Sequence, residues 1–186
     1  MQRQEAIDIL ARGREGAISV ATMQAVAPWH DAGQAASDHI DATQCMGSAS
    51  SIGLGLALAR PDRKVMVLDG DGSLLMQLGS LVTITAAGPA NFYHFVFANG
   101  LHQSTGNQPL PAKGVFDWCA LARAAGYRKA VRIEQAEDLF EQLPTIWDTE
   151  GPVLVELVIA REDTEPRWAG VPMASQVVAL RQRLAG

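Results

Sequence analysis

No apolar run in this sequence reaches the ~20 residues that a membrane-spanning helix needs. The opening residues, Met1-Gln2-Arg3-Gln4-Glu5, contain no apolar stretch of the kind found in a secretory signal. Cysteine is scarce, with only Cys45 and Cys119. A bridge between them stays open, but two cysteines do not make a disulfide scaffold. Basic residues form no run or stripe, and the formal net charge is -5, so nothing points to a nucleic acid partner. Arg123, Arg128, Lys129 and Arg132 read most simply as solvated helix and strand ends. There is no internal repeat and no low-complexity segment. No Gly-x-Gly-x-x-Gly follows the first strand pattern and no Walker phosphate loop occurs, which argues against a nucleotide-dependent α/β enzyme. The expectation is a cytoplasmic chain that meets neither membrane nor nucleic acid.

What is present is apolar. The hydrophobic fraction is 48% of 186 residues, enough for the core of one domain spanning 1–186, with 166–186 as a C-terminal tail and helix. Charged residues are 19%, below the usual ~25%, so part of the surface is expected to lie under a partner. Ile7, Leu10 and Ala11 recur at helical spacing before Gly13. Residues 17–21 read as a buried strand and 23–45 as an irregular loop. Residues 46–60 read as a small-residue helix closed by Pro61. Gly53 and Gly55 each cost that helix about 1 kcal/mol relative to alanine, which implies another backbone or a ligand close by. Strand 64–68, helix 73–87, strand 92–98, loop 99–114, helix 116–125 and strand 129–133 follow. The next helix shows Leu139, Phe140, Leu143, Ile146 and Trp147 on one face. Strand 153–159 and a helix over 172–185 complete the alternation. Such alternation predicts an α/β fold: three α/β/α layers around a mostly parallel sheet.

The chemistry concentrates between residues 69 and 99. Gly70-Asp71-Gly72-Ser73 follows one strand pattern, and 26 residues (73–98) separate Gly72 from Asn99, which follows the next. Gly-Asp-Gly alone is as readily a tight turn. Parallel strands, however, end on one edge of an open sheet, where ligands bind. Asp71 and Asn99 are therefore expected side by side. Two hard oxygen ligands beside a glycine turn opening a helix suit Mg2+ and a diphosphate.

This spacing resembles the diphosphate-binding motif of thiamine-diphosphate-dependent enzymes. The likeness extends over roughly 1–165 and is carried also by Ala49 through Ala59, Asp69 through Ser80 and Ser104 through Gln108. It is strongest toward sulfopyruvate decarboxylase β subunits and the matching part of phosphonopyruvate decarboxylases. It implies the thiamine-diphosphate-binding fold, with thiamine diphosphate and Mg2+ as cofactors. Asp71, Asn99 and the carbonyl of Leu101 would be metal ligands, and Gly70, Gly72 and Ser73 would meet the diphosphate. It also implies a wedge under the cofactor at Met46, whose alternative is ordinary core packing. Gln44, where the family usually has glycine, would offer its carbonyl to the cofactor's amino group. His102 stands where close relatives often carry tyrosine, and Gln103 replaces a usual glycine. His102 is either a substrate contact or proton relay, or a plain loop histidine. His30 and His39 either face an acidic substrate or play no part, and His94 reads as structural. Asp117 and Trp118 most simply begin a helix.

The family's catalytic glutamate comes from a pyrimidine-binding domain, and no glutamate here matches it by motif. The resemblance therefore implies a pyrimidine-binding (α) subunit as partner, self-association into an α2β2 assembly, and a small 2-oxoacid as substrate. The expected activity is decarboxylation of sulfopyruvate to sulfoacetaldehyde. Phosphonopyruvate decarboxylation, acetolactate-synthase-like carboligation and a non-catalytic cofactor-binding domain remain as alternatives. Lys113 is the nearest cation for a sulfonate.

Overall fold

The computed structural model describes residues 1–36, 38–112, 114–162, 167 and 171–185. Lys113 and Pro166 lie outside the described residues. The first half contains α1 (Arg3–Arg12), β1 (Ile18–Ala21), α2 (Val26–Asp31), β2 (His39–Asp41), α3 (Ala49–Ala59), β3 (Val65–Gly70), α4 (Asp71–Met76) and α5 (Ser80–Ala87). The second contains β4 (Phe92–Ala98), β5 (Leu101–His102), β6 (Gln108–Pro109), α6 (Trp118–Ala125), β7 (Lys129–Ile133), α7 (Ala136–Trp147), β8 (Val153–Val158) and α8 (Met173–Leu184).

Six strands form one sheet in the order β2-β1-β3-β4-β8-β7, and every pairing is parallel. β3, β4 and β8 are mostly apolar on both faces, as interior parallel strands usually are, with Asp69, His94 and Glu156 the buried exceptions. Met66 and Leu68 of β3 pack on one side with Ile7 and Leu10 of α1, Trp29 of α2, and Leu139 and Leu143 of α7. Val65 and Val67 pack on the other with Leu54 of α3, Ile84 of α5, Trp118 of α6 and Leu180 of α8. The result is the three-layer α/β/α architecture, with a core on each face of the sheet.

Several expectations change. Residues 23–45 are not irregular throughout: they hold α2 and the edge strand β2, paired Ser19↔His39 and Val20↔Ile40 with β1. Gln176 of α8 covers that edge. Its Oε1 accepts from the Asp41 N–H (2.6 Å) and its Nε2 donates to the Asp41 carbonyl (3.2 Å), occupying groups that an open edge would leave unpaired. The single helix expected over 73–87 is two, α4 and α5, because Gln77 leaves the helical conformation (φ -136°, ψ 49°). Loop 99–114 carries the short β5–β6 hairpin. Phe140 is 68% exposed rather than part of the buried stripe of α7. At Gly53 the close neighbours are the Val67 and Phe92 side chains rather than another backbone, and Gly55 has no protein atom within 4 Å of an added Cβ. Cys45 and Cys119 are unbridged. No helix among the described residues is long and apolar enough to cross a membrane.

Candidate functional site

The adjacent strands β3 and β4 run in register, with Asp69↔Val96 and Gly70↔Phe97. Their carboxyl ends therefore bring Asp71 and Asn99 to one point on the sheet edge. A recess of about 460 Å³ opens there, and Gly70, Asp71, Gly72, Ser73, Asn99, Leu101, His102 and Met46 all line it. Gln44 does not: its side chain is exposed on a turn before α3. His30 and His39 are absent from the recess. His39 is buried on β2 with its Nδ1 2.9 Å from Ser19 Oγ.

Asp71 is 3% exposed. Its Oδ1 accepts from the Gly72 N–H (2.8 Å) and its Oδ2 from the Gly100 N–H (2.6 Å). Gly100, at φ +71°, makes the second contact possible by turning the chain directly after Asn99 into the left-handed region. Burial pushes the Asp71 carboxyl above its usual range, opposed by these N–H donors and by nearby His102. Among the described residues no Lys or Arg lies within ion-pair distance of it. A buried carboxylate without a cation is costly. The Asn99 amide oxygen accepts from the Leu101 N–H (2.9 Å) and keeps a second lone pair. Two hard oxygen donors, with no described Lys or Arg in direct contact with the carboxylate, fit Mg2+, which favours oxygen ligands, while the more distant Arg3 also acts on Asp71 through its charge.

Ser73 Oγ accepts from the Gly47 N–H (3.0 Å). Gly47, at φ +80°, passes so close to α4 that a Cβ would sit 3.3 Å from those of Met76 and Gln77. This contact ties the turn that carries Met46 to the start of α4. The His102 imidazole sits over Gly72, where a Cβ would lie 2.6 Å from its Nδ1. His94 Nε2 lies 3.2 Å from Asp69 Oδ2, with both side chains fully buried, which matches the structural role expected of it.

The recess also takes residues that motif reasoning missed. Arg3 of α1 is 4% exposed and lines it, as do Thr22 and Met23 after β1, Gln103, and Ile159 after β8. Burial holds the Arg3 guanidinium below its usual pKa, while Glu162 and Asp71 act to raise it. An arginine in a first helical turn carries no local sign of burial. Asp117, Cys119 and Glu156 place one ligand atom each within 4.8 Å of one another, and burial pushes the Cys119 thiol up to about 11. Asp117 itself caps α6, accepting from the Ala120 N–H at 2.9 Å.

Residues 17–157 match the family model described as thiamine pyrophosphate enzyme, C-terminal TPP binding domain, and the chain belongs to that family. It is 47% identical over 121 residues to a phosphonopyruvate decarboxylase of Streptomyces viridochromogenes, covering 65% of this chain and 30% of that protein. It is 43% identical over 129 residues to sulfopyruvate decarboxylase subunit beta of Methanothermobacter thermautotrophicus, covering 69% of this chain and 63% of that subunit. The chain thus spans less than two thirds of either relative. The fold matches that of a thiamine diphosphate-dependent 4-hydroxybenzoylformate decarboxylase from Rhodococcus jostii, with a TM-score of 0.72 at 18% identity over 88% of this chain and 33% of that one.

Proposed function

We propose that this chain is the diphosphate- and Mg2+-binding part of a thiamine-diphosphate-dependent 2-oxoacid decarboxylase that converts sulfopyruvate to sulfoacetaldehyde and CO2. The observation that carries this reading is the buried Asp71 carboxylate beside Asn99, with no Lys or Arg among the described residues in ion-pair contact with it. Asp71 through its carboxylate, Asn99 through its amide oxygen and Leu101 through its carbonyl would hold Mg2+. The backbone N–H groups of Gly72 and Ser73 would meet the diphosphate at the Gly70-Asp71-Gly72 turn, that of Gly72 by sharing or exchanging its bond to Asp71 Oδ1. Ser73 Oγ, which already accepts from Gly47, keeps its own proton for a phosphate oxygen. α4 has only six residues, so this reading rests on individual donors rather than on a long helix dipole.

Met46 is the apolar support for the cofactor, and the Gln44 carbonyl would accept from its amino group. When bound, the cofactor would supply an electron sink for the pair left by decarboxylation, at a carbon that then needs a proton. His102, whose imidazole lies over Gly72 at the recess, would contact substrate or pass that proton. The glutamate that activates the cofactor would come from a pyrimidine-binding α subunit. The name "subunit beta" on the Methanothermobacter relative supports such a partner. An α2β2 assembly would then place the working site between chains.

Affinity capture from native cells, with mass spectrometry of the retained chains and assay of CO2 release, tests this. A pyrimidine-domain partner and release from sulfopyruvate are expected. Preference for phosphonopyruvate would favour the second reading, which the 47% identity to a phosphonopyruvate decarboxylase supports. Thiamine diphosphate binding without turnover on either acid would leave a non-catalytic binding domain.

A further inference from the structure

The Asn99 amide can ligate a metal only through its oxygen, because its nitrogen carries two hydrogens and offers no lone pair. Its orientation is fixed by neighbours that have no such ambiguity. Arg3 bears only donors, and its Nη2 donates to Gln103 Oε1 at 2.7 Å. The Glu162 backbone carbonyl only accepts, and it takes a hydrogen bond from Gln103 Nε2. These two contacts hold the Gln103 amide one way round. Its Oε1 then accepts a second hydrogen bond, from Asn99 Nδ2 at 2.7 Å. Asn99 Oδ1 takes the Leu101 N–H on one lone pair and keeps the other. Arg3 is itself anchored: Nη1 donates to Glu162 Oε2 (2.7 Å) and its backbone N–H to Glu162 Oε1 (3.1 Å). Arg3 and Gln103 are 4% and 9% exposed, so water does not compete freely for these groups.

We propose that Gln103 is a positioning residue: held by Arg3 and Glu162, it commits the Asn99 nitrogen and leaves the Asn99 oxygen for the metal. This rests on the metal reading of Asp71 and Asn99. Sequence spacing alone does not reveal it, because Gln103 meets Arg3 across 100 residues.

The test measures Mn2+ affinity by electron paramagnetic resonance, in the presence of thiamine diphosphate, on the protein purified with its associated chains. Gln103→Leu, with Gln103→Met as a second variant closer in length, removes the acceptor that holds Asn99 Nδ2. Loss of a partner that orients a metal ligand typically costs about 10–100-fold in metal affinity, and a loss of that order is expected. The Asn99→Asp background supplies the readout that a merely structural role would not move. A carboxylate offers oxygen whichever way it turns, so there the same Gln103 substitutions are expected to change Mn2+ affinity by less than roughly threefold. Equal loss in both backgrounds, or no loss in the parent, overturns the proposal. If Asp71→Ala abolishes Mn2+ binding while Gln103→Leu leaves it intact, the positioning role alone fails. If Asp71→Ala binds Mn2+ like the parent, the metal reading fails with it.

Discussion

Two glycines of α3, two residues apart, are expected to respond to alanine with opposite signs. An added Cβ on Gly53 would lie 2.3 Å from Val67 Cγ2 and 3.2 Å from Phe92 Cε2. The first distance is roughly 1.2 Å inside the ~3.5 Å at which carbon atoms pack. Val67 cannot easily yield: it is β-branched, stiff at χ1, and fully buried in the middle of β3. The overpacking falls in the upper part of the usual 1–3 kcal/mol range, about 2–3 kcal/mol. Replacing a helical glycine returns about 1 kcal/mol. Gly53→Ala should therefore destabilise by about 1–2 kcal/mol, a fall in Tm of about 3–6 °C for a chain of this size. Gly55 is exposed, and its Cβ would meet nothing within 4 Å. Gly55→Ala should keep the propensity gain and stabilise by about 0.5–1 kcal/mol. Urea unfolding of both variants, with a check that the transition is two-state, measures the difference. Adding Val67→Ala to Gly53→Ala should show positive coupling, because it removes the clashing methyl groups. If Gly53→Ala proves as stable as Gly55→Ala, the packing of α3 on β3 described above is wrong.

His39 should make the fold acid-sensitive. Burial first, then the neighbouring His30 and Arg14 side chains, lower its pKa from 6.5 to about 3, so the neutral ring is favoured in the fold. Its stabilisation is complete above about pH 6.5 and is lost as pH falls from there toward 3, about 2 kcal/mol of it between pH 7 and pH 5. His39→Phe should flatten that part of the stability profile, and an unchanged slope would refute the assignment. Met46→Ala should leave thiamine diphosphate binding measurable while turnover of the assembled enzyme falls; equal turnover would return Met46 to ordinary packing. Asp117→Ala should cost about 1 kcal/mol through loss of the bond from the Ala120 N–H, without changing cofactor affinity.

The sequence was most legible where local pattern and tertiary context agree. Phe92–Ala98 and Lys129–Ile133 form strands over the expected residues, bounded by Pro89 before one and Gly126 before the other. The meeting of Asp71 and Asn99 followed from a general property of parallel sheets, so it needed no knowledge of side-chain contacts. What escaped was set by distant partners. β2 contains a single apolar residue, Ile40, and exists through its pairing with β1 and the covering Gln176. α2 holds Pro28, tolerated because it lies in the first turn, where N–H groups have no helical partner. The break between α4 and α5 accompanies the approach of Gly47 to Met76 and Gln77. Phe140 lies one residue from Leu139, about 100° around the helix, and so leaves the buried stripe. Arg3 and Gln103, which complete the recess wall, meet only after the chain has folded.

The central claim is that Asp71 anchors a metal and through it a diphosphate. Its most direct test is calorimetric titration of thiamine diphosphate into the protein, purified with its associated chains, with Mg2+ and with the metal chelated, for the parent and Asp71→Ala. The account predicts binding by the parent only when Mg2+ is present, and no binding by Asp71→Ala while its circular dichroism and melting stay those of a folded protein. Binding of equal strength by Asp71→Ala, or by the parent without metal, would contradict it.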